Sequence, residues 1–208
     1  MIRNLFRRRP TDLELADRLT SENYTCRCCK KAWKPAFACP NPKAPFTWLA
    51  PPDPAPDRAM ITSGDVLTES FCRYQGDNSV RAYLPIFVSE NRKSVFLPVW
   101  ASLSEPNFDQ FRAAQTSGSA DKLGDMFSWL FSEIPGVAAP LGKGVLQPFA
   151  SGRLPLFWLS DKAHPLFSAQ DKGLPARQVQ KLYESLGARV GPHLLGTGTK
   201  QSAPESET

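Results

Sequence analysis

Residues 80–103 read VRAYLPIFVSENRKSVFLPVWASL. Two runs of branched and aromatic side chains flank a short polar link at 89–93, the composition of two strands joined by a hairpin. Upstream, residues 69–74 read ESFCRY, and Gln75, Gly76, Asp77 and Asn78 supply turn chemistry before Val80. Three successive strands with links this short predict an antiparallel meander. Pro85 and Pro98 lack the backbone donor that central pairing needs, so they are expected at bulges, strand ends or an edge.

Helical signals surround the meander. Residues 11–19, TDLELADRL, place Thr11 three positions before Glu14, the spacing at which each side chain satisfies an orphan donor of the other's backbone. Ser104 stands where it can cap a helix opening with Glu105 and Pro106 and carrying Phe108 and Phe111 on one face. In residues 120–136, ADKLGDMFSWLFSEIPG, the residues Leu123, Met126, Phe127, Leu130, Phe131 and Ile134 form a wide stripe at helical spacing that predicts a core helix ended by Pro135. Residues 154–160, LPLFWLS, read as one more buried strand. The stretch 174–187, LPARQVQKLYESLG, reads as a final packing helix stopped by Gly187.

The fold class that follows is α+β: an antiparallel meander of about four strands with helices packed on it around a single core. Residues 1–21 form a basic extension with a short helix, residues 22–187 the globular domain, and residues 188–208 a tail without order. Between 35 and 56 the chain holds eight prolines, which exclude a continuous helix or central strand. Phe37, Phe46, Trp48 and Leu49 in that stretch are expected to tuck against the core.

A chain of 208 residues with 41% hydrophobic content is long enough to bury one such core. No run reaches the eighteen or so apolar residues that a membrane helix needs. The opening MIRNLFRRRPTDLEL meets acids and a proline before any apolar region, so a cytoplasmic protein without a secretory signal or membrane partner is expected. The net charge of +5 resides wholly in residues 1–34, which hold nine basic and four acidic side chains. Arg3, Arg7, Arg8 and Arg9 make a short cluster of the kind that is ordinarily just solvated, so nucleic acid is not the expected partner.

Residues 24–33, YTCRCCKKAW, place three thiols within four positions. Cys26 and Cys29 have the spacing of one zinc knuckle, and a four-thiolate site would need Cys39 and Cys72 to join them, leaving Cys28 over. Without that convergence the thiols are small buried hydrophobes and no cofactor is expected. A thioredoxin-type use is disfavoured because the motif runs into prolines and not into a βαβ unit. The two histidines offer little catalysis: His164 precedes Pro165 in a loop near Asp161, and His193 near the tail is expected to be exposed. Residues 140–146, PLGKGVL, lack the spacing of a phosphate-binding loop.

Taken in order, YTCRCC, DVLTESFCRY, AYLPI, PVWASLSEPNF and HPLFSAQDKGL resemble the successive motifs of the bacterial family known as domain of unknown function 2199 (DUF2199), over roughly residues 22–186. That family commonly continues its CxxC with glycine and has a histidine a few residues on. Here Lys30 stands at the glycine and Trp33 about at the histidine. The resemblance implies the fold and no activity.

Three functional readings follow. The first is a non-enzymatic interaction module that binds another protein near Trp33, Trp48, Trp100, Ser102, Ser104, Asn107 and His164. The second is a zinc-stabilised module, held by Cys26, Cys29, Cys39 and Cys72, that touches nucleic acid through its basic end. An enzyme using His164 is a third.

Overall fold

The computed structural model describes residues 9–48, 60–62, 65–137, 141–150 and 152–196. The expectations for Arg3, Arg7, Arg8, Leu49 and the tail from 197 onward fall outside the described residues. The chain forms two compact units, Met1–Pro40 with Ile86–Val95 and Lys172–Thr208, and Asn41–Pro85 with Phe96–Asp171.

The second unit holds the main sheet. Strands β3 (Met60–Thr62), β4 (Asp65–Leu67), β5 (Phe71–Tyr74) and β6 (Asp77–Phe87) pair antiparallel in succession, and β7 (Ser94–Leu103) also pairs with β6. After β7 come helix α2 (Glu105–Ser117) and strands β8 (Met126–Trp129), β9 (Lys143–Gln147) and β10 (Leu156–Leu159). β8, β9 and β10 pair antiparallel, and β10 then joins β6 in parallel through Leu156 and Tyr83. An antiparallel bridge between Ala101 and Leu130 brings the end of β7 to the residue after β8, so the sheet curls. Eight strands therefore replace the four or so expected.

The stretch expected as a core helix supplies β8. Its buried residues alternate, with Met126, Ser128, Leu130 and Ser132 inside and Phe127 exposed, which is the period of a strand. The buried serines are held by bonds to β7: Ser128 Oγ donates to the Ser102 carbonyl at 2.6 Å, and the Trp100 amide donates to Ser132 Oγ at 2.7 Å.

Both strand prolines sit where ladder pairing ends or is absent. The amides of Arg81 and Tyr83 bond Ser70 and Pro155, so β5 and β10 share one edge of β6, and Pro85, two residues on, points its missing donor at that edge. Pairing with β10 stops there. The open backbone of β10 is completed by the buried Gln170 side chain, which donates to the Phe157 carbonyl at 3.0 Å and accepts from the Leu159 amide at 2.8 Å. Pro98 has the parity of Trp100, whose amide and carbonyl face residues 131 and 132, so it lies on the edge of β7 away from β6.

Ser104 occupies the N-cap of α2, but its side chain makes no capping bond. Phe108 and Phe111 are buried as expected, both edge-on to Phe71. A separate cluster gathers Trp48, Leu67, Cys72 and Trp100, with Tyr74 and Phe131 against it.

The first unit packs three helices together. Helix α1 (Asp12–Leu19) opens with the expected capping box, in which Thr11 Oγ1 accepts from Glu14 N and Glu14 Oε2 accepts from Thr11 N. It buries Leu15, Ala16 and Leu19 and packs on α4 (Ala176–Ser185) and on α5 (Gly191–Leu195). The loop after β6 fastens both helices: Asn91 donates to Asp17 and Thr20, and Glu90 accepts from the Ala176 amide at the start of α4. Residues 191–195, expected to be without order, form α5, because Leu194 and His193 have no exposed surface and Val190 almost none. Helix α3 (Phe167–Asp171) belongs to the second unit and presents Gln170.

Candidate metal centre

Residues 24–33 fold as a two-stranded hairpin, β1 (Tyr24–Thr25) against β2 (Ala32–Trp33), with the three thiols in its turn. The Cys26 amide donates to Lys31 O and the Lys30 amide donates to Cys26 O, which curls the turn around the Cys26 side chain. Closing it puts Lys30 at φ 65°, a left-handed backbone that costs a residue with a Cβ about 1 kcal/mol.

The fourth group comes from the far end of the same unit. The Arg18 guanidinium bonds the Leu194 carbonyl at the end of α5, which fixes that helix on α1. His193 is thereby carried to the thiols, with Nδ1 at 3.4 Å from Cys26 Sγ, 3.4 Å from Cys28 Sγ and 3.8 Å from Cys29 Sγ. Trp33 stands edge-on to the imidazole at 6.1 Å between ring centres, and Tyr24 edge-on to Trp33 at 5.9 Å. The expected exposure of His193 is therefore corrected: the helix that holds it buries it completely.

The four ligand atoms of Cys26, Cys28, Cys29 and His193 all lie within 4.8 Å of one another. A tetrahedral zinc ion with ordinary Zn–S and Zn–N bonds sets its sulfur and nitrogen ligands about 3.6 Å apart. The three observed sulfur-to-nitrogen separations bracket that value. The Cys26–Cys28 contact of 2.8 Å is tighter, and the pair would have to open by about 1 Å to admit an ion. Three thiols and one imidazole form a complete donor set for zinc, so the residues fit the metal.

The thiols are also electrostatically coupled. Burial pushes the Cys26 thiol up, but bonds from the Cys28 thiol, the Cys29 amide, the His193 ring and the Cys28 amide outweigh it and bring it down to about 6. Burial, the bond to Cys26 and the charges of Cys26 and Cys29 push Cys28 up to about 11. The pair thus holds one proton between two sulfurs near neutral pH.

The four-thiolate combination that the sequence offered as the alternative to buried filler does not assemble. Cys39 is buried apart from the cluster, its thiol raised by burial, and Cys72 lies in β5 in the other unit, where burial pushes it up to about 12. Cys28, left over in the sequence reading, and His193 take their places.

Other expected site residues serve the fold. Trp48 and Trp100 are buried in one core cluster, and Trp100 Nε1 donates to the Pro42 carbonyl, so neither offers a docking surface. Ser102 Oγ accepts from the Trp129 amide, Ser104 begins α2, and Asn107 lies half-buried in its first turn. His164 is buried, its Nδ1 accepting from the Leu166 amide within its own loop.

Fold and site together define a mixed α+β protein with a curled sheet and a Cys3His cluster. A family model described as "Uncharacterized protein conserved in bacteria (DUF2199)" matches residues 25–174, and the chain belongs to that family. No curated protein and no solved structure matches it. The matched span includes the three clustered thiols, while His193 lies beyond it.

Proposed function

We propose that this protein is a zinc-stabilised, non-enzymatic binding module in which Cys26, Cys28, Cys29 and His193 hold a structural zinc ion. The observation that carries the reading is the gathering of three thiols and an imidazole within 4.8 Å. Four protein ligands fill a tetrahedral zinc ion, leaving no position for a reacting water, which is the pattern of a structural site. The ion would tie the hairpin at 24–33 to α5 across the ends of one unit and add its binding energy to the folding of that unit. The enzyme reading has less support, since the buried His164 is engaged by its own loop.

The test is metal analysis of protein purified without chelator, together with thermal unfolding before and after a strong chelator. About one zinc per chain and a chelator-induced fall in Tm are expected. Less than one zinc per several chains, with an unchanged Tm, would sink the reading.

A further inference from the structure

We propose that the tip of the cysteine hairpin is a cationic contact for the phosphate backbone of nucleic acid, formed by Arg27, Lys30, Lys31 and Lys34. The inference deepens the binding-module reading and rests on the metal centre only for the shape of the hairpin. All four side chains are exposed, and residues 23–40 contain no acid to pair with them. Among these residues Lys30 is the informative one. Its φ of 65° is a backbone that glycine adopts without strain, yet a lysine holds it, with the side chain in solvent. A charged, exposed side chain kept at a strained position points to use of the charge itself.

Neutralising the metal centre does not account for the cluster. Three thiolates around a zinc dication leave one excess negative charge, against four cations on the hairpin. A lipid surface fits less well, because the tip offers no exposed large apolar side chain to insert into a bilayer. A polyanion with evenly repeated charges matches a row of cations closely spaced in sequence. This differs from the sequence expectation, which weighed only the arginines at the chain end.

The experiment is fluorescence anisotropy of a labelled single-stranded DNA oligonucleotide titrated with the full chain over a range of salt concentrations, with zinc content measured on every sample. The wild type should bind with a strong inverse dependence on salt. Lys30→Gly should keep its zinc, melt at or above the wild-type temperature, bind several-fold more weakly, and lower the salt slope by about 0.7. Lys34→Ser, outside the turn and so without effect on its closure, should lower it similarly. The combined variant at all four positions should reduce binding to background. Undiminished binding by the combined variant would place the contact elsewhere and overturn the proposal. So would binding to phosphatidylserine vesicles without binding to the oligonucleotide. A protein that lacks zinc yet shows these charge effects would refute the metal reading and leave the contact standing.

Discussion

His193 Nδ1 lies 3.4 Å from Cys26 Sγ, across 167 residues of sequence. The contact exists because Arg18 of α1 bonds the end of α5 and sets the imidazole over the hairpin turn. One substitution therefore separates a metal site from a chance cluster. His193→Ala should lose the bound zinc and melt at a lower temperature than the wild type, and added chelator should then have little further effect. Equal chelator sensitivity in the variant and the wild type would show that His193 is not a ligand.

Proton linkage gives a second test. At neutral pH Cys26, at about 6, is already ionised, while Cys28, at about 11, keeps its proton. Zinc needs both as thiolates, so binding at pH 7 should release at least the Cys28 proton, and affinity should fall more steeply once the pH drops below about 6 and Cys26 is protonated too. In metal-free protein the signs are opposite for the two thiols. The depressed Cys26 contributes stability that is fully present above its ordinary thiol pKa and lost as pH falls through about 6. The raised Cys28 contributes stability present below its ordinary value and lost as pH rises through about 11. Calorimetric titration with zinc in buffers of different ionisation enthalpy counts the protons, and a count of zero at pH 7 contradicts the assignment.

What could be read from the sequence was what is encoded locally. The capping box of α1 is complete within four residues, and β7 spans the stretch its composition marks. The misread stretch was β8. Its apolar residues satisfy a helical period, while the inward positions Ser128 and Ser132 are polar and disguise the alternation of a strand. Those serines are buried because β7 offers them backbone partners, which composition alone does not reveal. The metal centre was half legible for a similar reason. Cys26 and Cys29 have knuckle spacing, but His193 joins them only through tertiary packing of α5. The remaining signal was present in Cys28, which shares the turn, and in the scarcity of histidine, of which the chain has two.

Gln170 tests the account of the β10 edge. Its side chain replaces the strand that Pro85 prevents, bonding both Phe157 O and Leu159 N. Gln170→Leu keeps the volume and leaves two buried backbone groups without partners, at a cost of about 2 to 4 kcal/mol. Urea unfolding should show a lower midpoint with little change in slope. A midpoint within error of the wild type would mean that water or another group satisfies that edge.

Gly144 lies opposite Leu159 in the β9–β10 pair, and a Cβ there would meet the Trp158 carbonyl oxygen at 2.4 Å and the Phe157 ring at 2.5 Å. One of these neighbours is backbone and the other a fully buried ring, so neither yields cheaply. Gly144→Ala should destabilise the protein by about 1 to 3 kcal/mol through overpacking. Glycine in a strand is ordinarily a weakness, and alanine at an open strand position stabilises, so the sign of the change is diagnostic. Gly124, where a Cβ meets nothing within 4 Å, is the control: Gly124→Ala should leave the urea midpoint level or raise it. If both variants moved the midpoint upward, the close approach of β10 to β9 at Gly144 would be refuted.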